Sequence, residues 1–393
     1  MMNADLPSWK DFLQFCQKLI NTPSLPGEEG PVAHLIQDKM KQLDYDDVHI
    51  DRVGNVIGLI KGNPKRPTLC FTAHMDHVDP GDPKGWEFPP YSGAISDGYL
   101  HGRGTSDLKG VVATHVYIAE SLKQTNVDHG DIYIIEVVHE EYGGLGSDYL
   151  DDGIKHAIDY AINGEPTSNT IKIGHRGRIE LLVHFGGKAA HAGTPELGVN
   201  PFYKMATFIS KLEKLKMACD DYEVSTAEPT TCRTDPQSSN VIPGQCELTI
   251  DWRNIPGEFE GKVVEKVKSL LPEGCNVSVV ERQLRTYTNL LFNIKRCKPP
   301  FSIDKAHPLV KETAQAVRSV LKREVEVSRW PFSTDCQFFM EAGIPIVGFS
   351  PGEEKYIHTN KERISLDLMR EAMLCYPAII SSLSKLEKRK RSG

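Results

Sequence analysis

Hydrophobic residues recur along this chain with two different periods. Apolar positions three and four residues apart predict helices over residues 9–20, 31–43, 111–123, 200–218, 258–271, 308–323 and 366–385. Apolar runs and alternation of apolar with polar residues predict strands over 67–73, 132–139, 178–185, 230–234, 245–253, 276–281 and 344–349, and a hairpin over 51–60. Because strands alternate with helices up to about residue 175, we expect an α/β fold whose sheet is covered on both faces.

The middle of the chain has a different order of elements. Over residues 176–287 the prediction is strand, helix, strand, strand, helix, strand, which is typical of a ferredoxin-like α+β unit. Beyond it the chain returns to the helix and strand patterns of the first part. We therefore predict one domain made from residues 1–175 and 288–393, and an inserted lid made from residues 176–287.

Two adjacent acids, Glu140 and Glu141, follow the apolar run 132–139. A run so rich in β-branched residues is typical of a buried strand. Carboxylates at its end lose hydration unless they have a cation partner or a chemical task. The glycines that follow at 143, 144 and 146 favour a tight, open turn. The pair therefore indicates a polar site at the end of this strand.

Further candidate ligands follow other predicted strands. His74 and Asp76 come directly after the strand 67–73, and alternation along an extended chain points both side chains the same way. This arrangement lets His74 bind a metal while Asp76 orients the ring from behind. Asp107 lies among glycines, Glu165 follows an apolar stretch, and His358 lies near the C-terminal end. Such an oxygen-rich set with two imidazoles suits Zn²⁺, and also Mn²⁺ or Co²⁺.

Composition narrows the class of protein. A net charge of −7 over 393 residues argues against nucleic acid as a partner, and no apolar run approaches the ~20 residues of a membrane span. We see no signal-peptide pattern at the start, and the nine cysteines include no CxxC motif. These features predict a cytoplasmic protein with reduced thiols. The basic tail 388–391 has the composition of an address signal, but we expect a frayed, solvated end.

The motifs together resemble the M20 metallopeptidase and amidohydrolase family. The similarity runs from about residue 10 to about residue 380 and rests on His74-x-Asp76, Gly102-Arg103-Gly104-x-x-Asp107-x-Lys109-Gly110, Glu140-Glu141, Glu165-Pro166 and His358-Thr359. The family includes aminoacylase, acetylornithine deacetylase, succinyl-diaminopimelate desuccinylase and glutamate carboxypeptidase. Segments 232–244 and 330–335 are most similar to a branch labelled selenium-metabolism hydrolases.

The resemblance implies a role for each of these residues. It implies a mixed-sheet catalytic domain of the zinc-peptidase type that holds two divalent metal ions, most simply Zn²⁺. His74 and Glu165 would hold one ion, Glu141 and His358 the other, and Asp107 would bridge the two. Glu140 would be the general base, and Asp76 would be a catalytic residue that orients the His74 ring. The family pattern also implies a cis peptide bond after Asp107.

The lid carries three further candidates. His191 lies in residues 190–201, a segment that matches the family's lid motif. The resemblance implies that this histidine stabilises the tetrahedral oxyanion, often in the active site of the partner subunit. It therefore also implies a homodimer formed through the lid. Asn240 and Arg253 match positions that bind the substrate carboxylate, and the planar fork of arginine suits that task. The alternative for Arg253 is a structural salt bridge within the lid.

Other interpretations are weaker. Gly348-x-Ser350-x-Gly352 has the pattern of a serine-hydrolase nucleophile elbow, but the next residue is Pro351, which has no N–H to donate to an oxyanion. His77, His101, His139 and His175 lie near the motifs but match no ligand position. A member that binds metal or peptide without catalysis, or a two-metal phosphoesterase, remains an alternative.

The sequence therefore predicts a dinuclear-metal hydrolase that cleaves a C–N amide bond. We expect its substrate to be a small N-acyl amino acid or a short peptide with a free carboxylate. A dipeptidase or carboxypeptidase in place of a deacylase stays open, as does cleavage of a carbamoyl or amidine bond.

Overall fold

The computed structural model describes residues 8–221 and 223–390. The helices of these residues, in chain order, are α1 Trp9–Asn21, α2 Gly30–Gln42, α3 Gly110–Val116, α4 Ile118–Thr125, α5 Leu145–Asp148, α6 Asp152–Ala157, α7 Pro201–Leu212, α8 Glu260–Leu270, α9 Pro308–Leu321, α10 Cys336–Glu341 and α11 Leu366–Leu383. The strands are β1 Asp47–Ile50, β2 Val56–Ile60, β3 Leu69–His74, β4 Ala94–Ser96, β5 Tyr99–His101, β6 Ile132–Val137, β7 Tyr160–Asn163, β8 Ile171–His175, β9 Arg178–Gly186, β10 Ala190–His191, β11 Thr226–Asp235, β12 Val241–Ile242, β13 Gln245–Arg253, β14 Cys275–Val279, β15 Glu281–Arg285, β16 Leu291–Lys295, β17 Cys297–Lys298, β18 Phe301–Ser302, β19 Val327–Trp330, β20 Ile346–Gly348 and β21 Arg363–Ser365.

The large sheet is mixed, as expected. Its strands follow the order β1-β2-β6-β3-β7-β20-β8-β18, and β19 also pairs with β8. The central strands β6, β3, β7 and β20 run parallel to their neighbours in that group, whereas β1, β2 and β18 pair antiparallel. Parallel neighbours end at the same edge of the sheet, so the residues that follow β3, β6 and β7 lie close together.

Burial of the central strands confirms that both faces of this sheet are covered. Every residue of β3 is buried, and so is every residue of β8. Because side chains alternate between the two faces of a strand, burial of consecutive residues requires packing on each side. The hydrophobic core around these strands includes Phe12 of α1, Phe71 of β3 and Tyr376 of α11.

The predicted ferredoxin-like unit is present in the middle of the chain. Strands β9, β11, β13 and β14 form an antiparallel sheet in the order β11-β13-β9-β14. Burial alternates along β9 and β13, so one face of the sheet is covered. That face packs against α7 and α8, and Phe185, Phe208, Trp252 and Val263 lie in this second core. The domain bounds 1–175, 176–287 and 288–393 stay a prediction. The hairpin β15–β16 crosses the predicted boundary between residues 287 and 288.

Two elements differ from their predicted bounds. The helix predicted over 200–218 ends at Leu212, because Leu215 and Met217 leave the helical path and pack against the second core. The strand predicted over 230–234 extends over Thr226–Asp235, although most of its residues are exposed. Its pairing with β13 along nearly the whole length explains the extension, since ladder hydrogen bonds do not require an alternating apolar pattern.

The predicted frayed tail is wrong for Lys388 and Arg389. Lys388 Nζ donates a hydrogen bond to the Pro64 carbonyl at 2.6 Å, and the Arg389 backbone N–H donates to Asp159 at 3.0 Å. Arg389 also donates from its guanidinium to the Ala342 carbonyl. Arg391 lies outside the described residues. Among the helices described, none is long and apolar enough to cross a membrane.

Replacement of Phe185 by Ala tests the second core. Phe185 is fully buried against Phe208, with ring centroids 5.6 Å apart, so we expect the free energy of unfolding to fall by ~3–5 kcal/mol in urea denaturation. The matched control is Phe259→Ala, because Phe259 is 63% exposed; its effect should stay within ~0.5 kcal/mol. Equal effects of the two substitutions would contradict the assignment of this core.

Candidate metal centre

The predicted ligands meet at the carboxyl ends of the parallel strands. His74 is the last residue of β3, and β3 pairs in parallel with both β6 and β7. Glu140 and Glu141 follow β6, and Glu165 follows β7. Asp107 enters from the connection between β5 and α3, and His358 from the segment after β20. The fold therefore brings together six residues from five segments that are far apart in sequence.

Three of these side chains form a buried group. His74 Nε2 lies 3.0 Å from Asp107 Oδ1 and 3.8 Å from Glu165 Oε1. One donor atom from each of the three residues lies within 4.8 Å of the others. An imidazole nitrogen and two carboxylates at such separations can coordinate one divalent ion.

A second group shares Asp107 with the first. His358 Nε2 lies 3.1 Å from Asp107 Oδ2 and 3.1 Å from Glu141 Oε1. Asp107 thus directs one carboxylate oxygen to each histidine, which is the arrangement that a bridging ligand between two ions requires. The peptide bond after Asp107 is cis, as the family resemblance implied. His358 is half exposed, so the second group is the one open to solvent.

The electrostatics of both groups fit divalent cations. Burial, strengthened by the charge of Glu140, raises the pKa of Glu165 well above its usual range. Hydrogen bonds with Asp107 and Glu141 raise the pKa of His358 to about 11. The pKa of His74 is raised by Asp107 although burial opposes the rise. These carboxylates hold positive charge on the two rings, and a divalent ion bound by the same atoms would neutralise the carboxylates while leaving the imidazoles neutral as ligands.

Asp76 supports the site in a different way from the one predicted. The His74 ring nitrogen Nδ1 contacts the backbone carbonyl of Asp76 at 3.0 Å, whereas the nearest Asp76 carboxylate oxygen is 3.6 Å away. That carboxylate accepts the backbone N–H groups of Glu140 and Glu141, each at 3.1 Å. One residue therefore fixes the orientation of His74 and the turn that carries both glutamates.

Glu362 and Lys298 are polar residues of the centre that the sequence analysis missed. Buried Glu362 accepts the backbone N–H groups of Ser106 and Asp107, at 3.1 and 3.2 Å, and forms an ion pair with Arg103. It thereby holds the loop that carries Asp107. Arg103 belongs to a recognised motif, but its partner is 259 positions away, and nothing local in the sequence marks it.

Lys298 pairs with Glu140, which belongs to neither ligand group. The ammonium forms an ion pair with the Glu140 carboxylate and donates to its backbone carbonyl at 3.0 Å. It also lies 3.6 Å from Asp335, whose other oxygen accepts the Ser147 hydroxyl at 2.7 Å. Lys298 is held by the two-residue strand β17, which pairs with β9. The ion pair with Lys298 holds the Glu140 carboxylate beside the two candidate ligand groups, to neither of which it belongs.

Of the three lid candidates, the structure brings only Arg253 near the centre. Arg253 lines a cavity of about 180 Å³ together with Glu140, Glu141 and His358. It also forms an ion pair with Asp251 at 2.6 Å, the structural salt bridge considered above. His191 and Asn240 are exposed neighbours on the lid, where the Ala192 N–H donates to the Asn240 carbonyl at 2.9 Å. Neither residue lines that cavity.

Ser350 has a structural role in this fold. Its side chain is fully buried, and its hydroxyl donates to the Glu165 carbonyl at 2.8 Å. His175 is likewise occupied, since its Nε2 accepts the Thr334 N–H at 3.2 Å, and His77 accepts the Ser24 N–H at 3.0 Å. These contacts agree with the sequence-based rejection of a serine nucleophile and of further histidine ligands.

Comparison with known proteins agrees with the family resemblance of the sequence motifs. The protein-family model described as peptidase family M20/M25/M40 matches residues 70–382 of this chain. The chain is 26% identical over 387 residues to succinyl-diaminopimelate desuccinylase of a Nitratiruptor species, covering 95% of this chain and all of that protein. Both solved structures below are less than 25% identical and show the fold alone.

The first of these structures is aminopeptidase PepT from Bacillus cereus ATCC 10987. It superposes with a TM-score of 0.78 at 22% identity, covering 97% of this chain and all of the other. The second is the Bacillus subtilis YXEP protein, described as a dinuclear metal binding peptidase from the M20 family. It gives a TM-score of 0.71 at 15% identity, over 96% and 98% of the two chains.

Replacement of Asp107 by Ala tests the shared ligand. Removal of a carboxylate common to both groups should weaken both sites, so metal content measured by mass spectrometry after dialysis should fall from ~2 ions per chain to below one. Asp367→Ala is the control, because that side chain is 91% exposed on α11. Unchanged metal content in the Asp107 variant would contradict the assignment of Asp107 as a bridging ligand.

Replacement of Lys298 by Met tests the partner of Glu140. Loss of a charge-assisted contact should let the Glu140 carboxylate move, and we expect kcat to fall about tenfold or more with a smaller change in KM. Metal content should be retained, because Lys298 is not a ligand. Lys298→Arg should restore part of the rate, and wild-type kcat in the Met variant would show that the pairing is dispensable.

Proposed function

This chain belongs to peptidase family M20/M25/M40 and is a metal-dependent hydrolase, and we propose that it cleaves the C–N amide bond of a small N-acyl amino acid or a short peptide with a free carboxylate. The observation that carries the proposal is the pair of ligand groups that share Asp107, with Glu140 beside them as a carboxylate outside both groups. A peptide or acyl-amide hydrolase needs these parts: a place for two cations and a spare base.

The metal ligands of the proposal are those of the two groups. His74, Glu165 and Asp107 would hold one ion, and Asp107, Glu141 and His358 the other. The nitrogen and oxygen donors suit Zn²⁺ best, with Co²⁺ or Mn²⁺ as alternatives. Two bound ions would polarise the scissile carbonyl and make water more acidic.

Glu140 is the proposed general base. Its carboxylate would accept a proton from the attacking water and later deliver it to the nitrogen of the leaving amine. Both transfers need a carboxylate that is ionised at the start and fixed in position. The ion pair with Lys298 supports this role because it holds the Glu140 carboxylate in position. Asp76 assists by binding the backbone N–H groups of the Glu140–Glu141 turn.

The lid supplies the proposed substrate contacts. Arg253 lines the cavity that also contains Glu140 and His358. There its guanidinium would bind the substrate carboxylate. His191 and Asn240 are exposed on the same lid, which fits a homodimer in which they act in the partner's centre, His191 on the oxyanion and Asn240 on the carboxylate. The lid would span residues 176–287.

Two further parts of the proposal concern reaction type and location. A deacylase is preferred over a dipeptidase or carboxypeptidase because the desuccinylase matches along the whole chain, whereas the peptidase structures support the fold alone. All nine cysteines are free thiols, which supports a reducing, cytoplasmic location.

A substrate screen tests the proposed function. Purified protein loaded with Zn²⁺, Co²⁺ or Mn²⁺ should release free amine from N-acyl amino acids or dipeptides with a free carboxylate. Substrates in which that carboxylate is amidated should react more slowly, because Arg253 loses its partner. Absence of turnover with every metal and every substrate would overturn the proposal and favour a member that binds without catalysis.

Replacement of Glu140 by Gln tests the base. The variant should keep its metal ions, since Glu140 belongs to neither ligand group, and should lose at least ~100-fold in kcat. Glu324→Gln is the matched control, because the Glu324 side chain is 93% exposed. Near-full turnover by the Glu140 variant would show that another group takes the proton.

A further inference from the structure

The open face of the lid sheet carries a cluster of arginines next to the metal centre. Arg178 begins β9, Arg253 ends β13, and Arg282 and Arg296 lie in β15 and just after β16. Burial alternates along β9 and β13, with Arg178 and Arg253 both on the partly exposed face, opposite α7 and α8. Four guanidinium groups from four segments therefore share one surface.

These arginines outnumber the acids that pair with them. Asp251 binds Arg178 at 2.7 Å and Arg253 at 2.6 Å. Glu180 binds Arg282 at 3.3 Å and Arg296 at 3.4 Å. Among the ion pairs of the described residues, this cluster thus joins four positive charges to two negative ones. The cluster therefore has an excess of two positive charges, and Arg296 also donates to the Tyr142 carbonyl at 2.8 Å.

Two arginines of the cluster line both the cavity at the centre and a second cavity on the lid sheet. Arg178 and Arg296 line the cavity that contains Glu140, Glu141 and His358. The same two residues line a second cavity, of about 450 Å³, that extends along the lid sheet past Glu180, Asp251 and Arg282. Arg233 and Glu247 lie opposite each other on β11 and β13 further along it, and Glu247 lies 3.2 Å from His184. A substrate held at the centre can therefore extend towards Arg178 and Arg296.

A purely structural network would not need this excess. One carboxylate suffices to neutralise one guanidinium, and like charges held close together repel. Burial and the charges of Arg178 and Arg282 lower the pKa of Arg296, which reflects this crowding. Fixed arginine forks beside a catalytic centre are a common means of binding carboxylates, because each fork can donate two parallel hydrogen bonds.

We infer that the substrate carries two carboxylates, and that Arg178 and Arg296 bind the second one while Arg253 binds the first. The inference rests on the proposed amide hydrolysis and narrows its substrate class to dicarboxylic N-acyl amino acids or acidic dipeptides. The second carboxylate belongs either to the amino-acid side chain or to the acyl group. Either one would offset the excess positive charge.

Matched pairs of substrates test the inference. N-acetyl-L-glutamate is compared with N-acetyl-L-glutamine for a side-chain carboxylate, and N-succinyl-L-alanine with its succinamide analogue for an acyl carboxylate. In each pair only the second negative charge differs. Wild-type protein should prefer the acid in at least one pair by about tenfold or more in kcat/KM.

Variants then assign that preference to the arginines. Arg296→Gln should reduce the preference to below about threefold, mainly through KM for the acid, and leave kcat for the amide substrate nearly unchanged. Arg178→Gln gives the same readout if the first variant does not fold. Arg323→Gln is the control, since Arg323 pairs with Glu371 at 2.7 Å and is half exposed outside the lid; it should keep the wild-type preference.

Two different failures are distinguishable. Equal turnover of acid and amide in both pairs, or a preference that survives in both the Arg296 and the Arg178 variant, overturns the inference and leaves the hydrolase proposal intact. No turnover of any of the four substrates, nor of the wider screen, overturns the proposed function and the inference with it.

Discussion

Carboxylates buried side by side lose their hydration and repel one another, and this protein gathers Asp107, Glu140, Glu141 and Glu165 at one edge of a sheet. Such a cluster is stable only if positive charge lies among the acids. Three sources of positive charge are built around it: His74 and His358 between the ligand oxygens, and Lys298 on Glu140. The two imidazoles belong to the candidate ligand groups, whereas the lysine belongs to neither. Of the four acids, Glu140 is therefore the one outside both candidate ligand groups.

The fold supplies this cluster through the ends of parallel strands. β3, β6 and β7 are neighbours in the large sheet and end at one edge, so three motifs that are distant in sequence become adjacent. Long-range contacts then fix their orientation: Asp76 binds the turn of the two glutamates, and Glu362 binds the loop of Asp107. The segment that returns from the lid contributes Lys298, so the lid and the centre are coupled through one strand pairing.

Much of the site was predictable because its residues follow strong local signals. His74 and Glu140 directly follow apolar runs, and the glycines around Asp107 mark a close turn, so the sequence alone predicted the candidate ligands that the structure brings together. Lys298 and Glu362 were missed because their role depends on partners more than 150 positions away. The His74 ring lies closer to the backbone carbonyl of Asp76 than to its carboxylate. The alternation of side chains along a strand predicts that the two residues are close, but it does not predict which oxygen makes the contact. The end of α7 at Leu212 depends on how Leu215 and Met217 pack on the second core, which the helical period does not report.

Anomalous diffraction from crystals grown with zinc tests the central claim most directly. We predict two peaks about 3.5–4 Å apart, one in contact with His74 and Glu165, the other with Glu141 and His358, and both with Asp107, while Glu140 stays paired with Lys298. A single peak, a peak coordinated by Glu140, or none among these residues would contradict it.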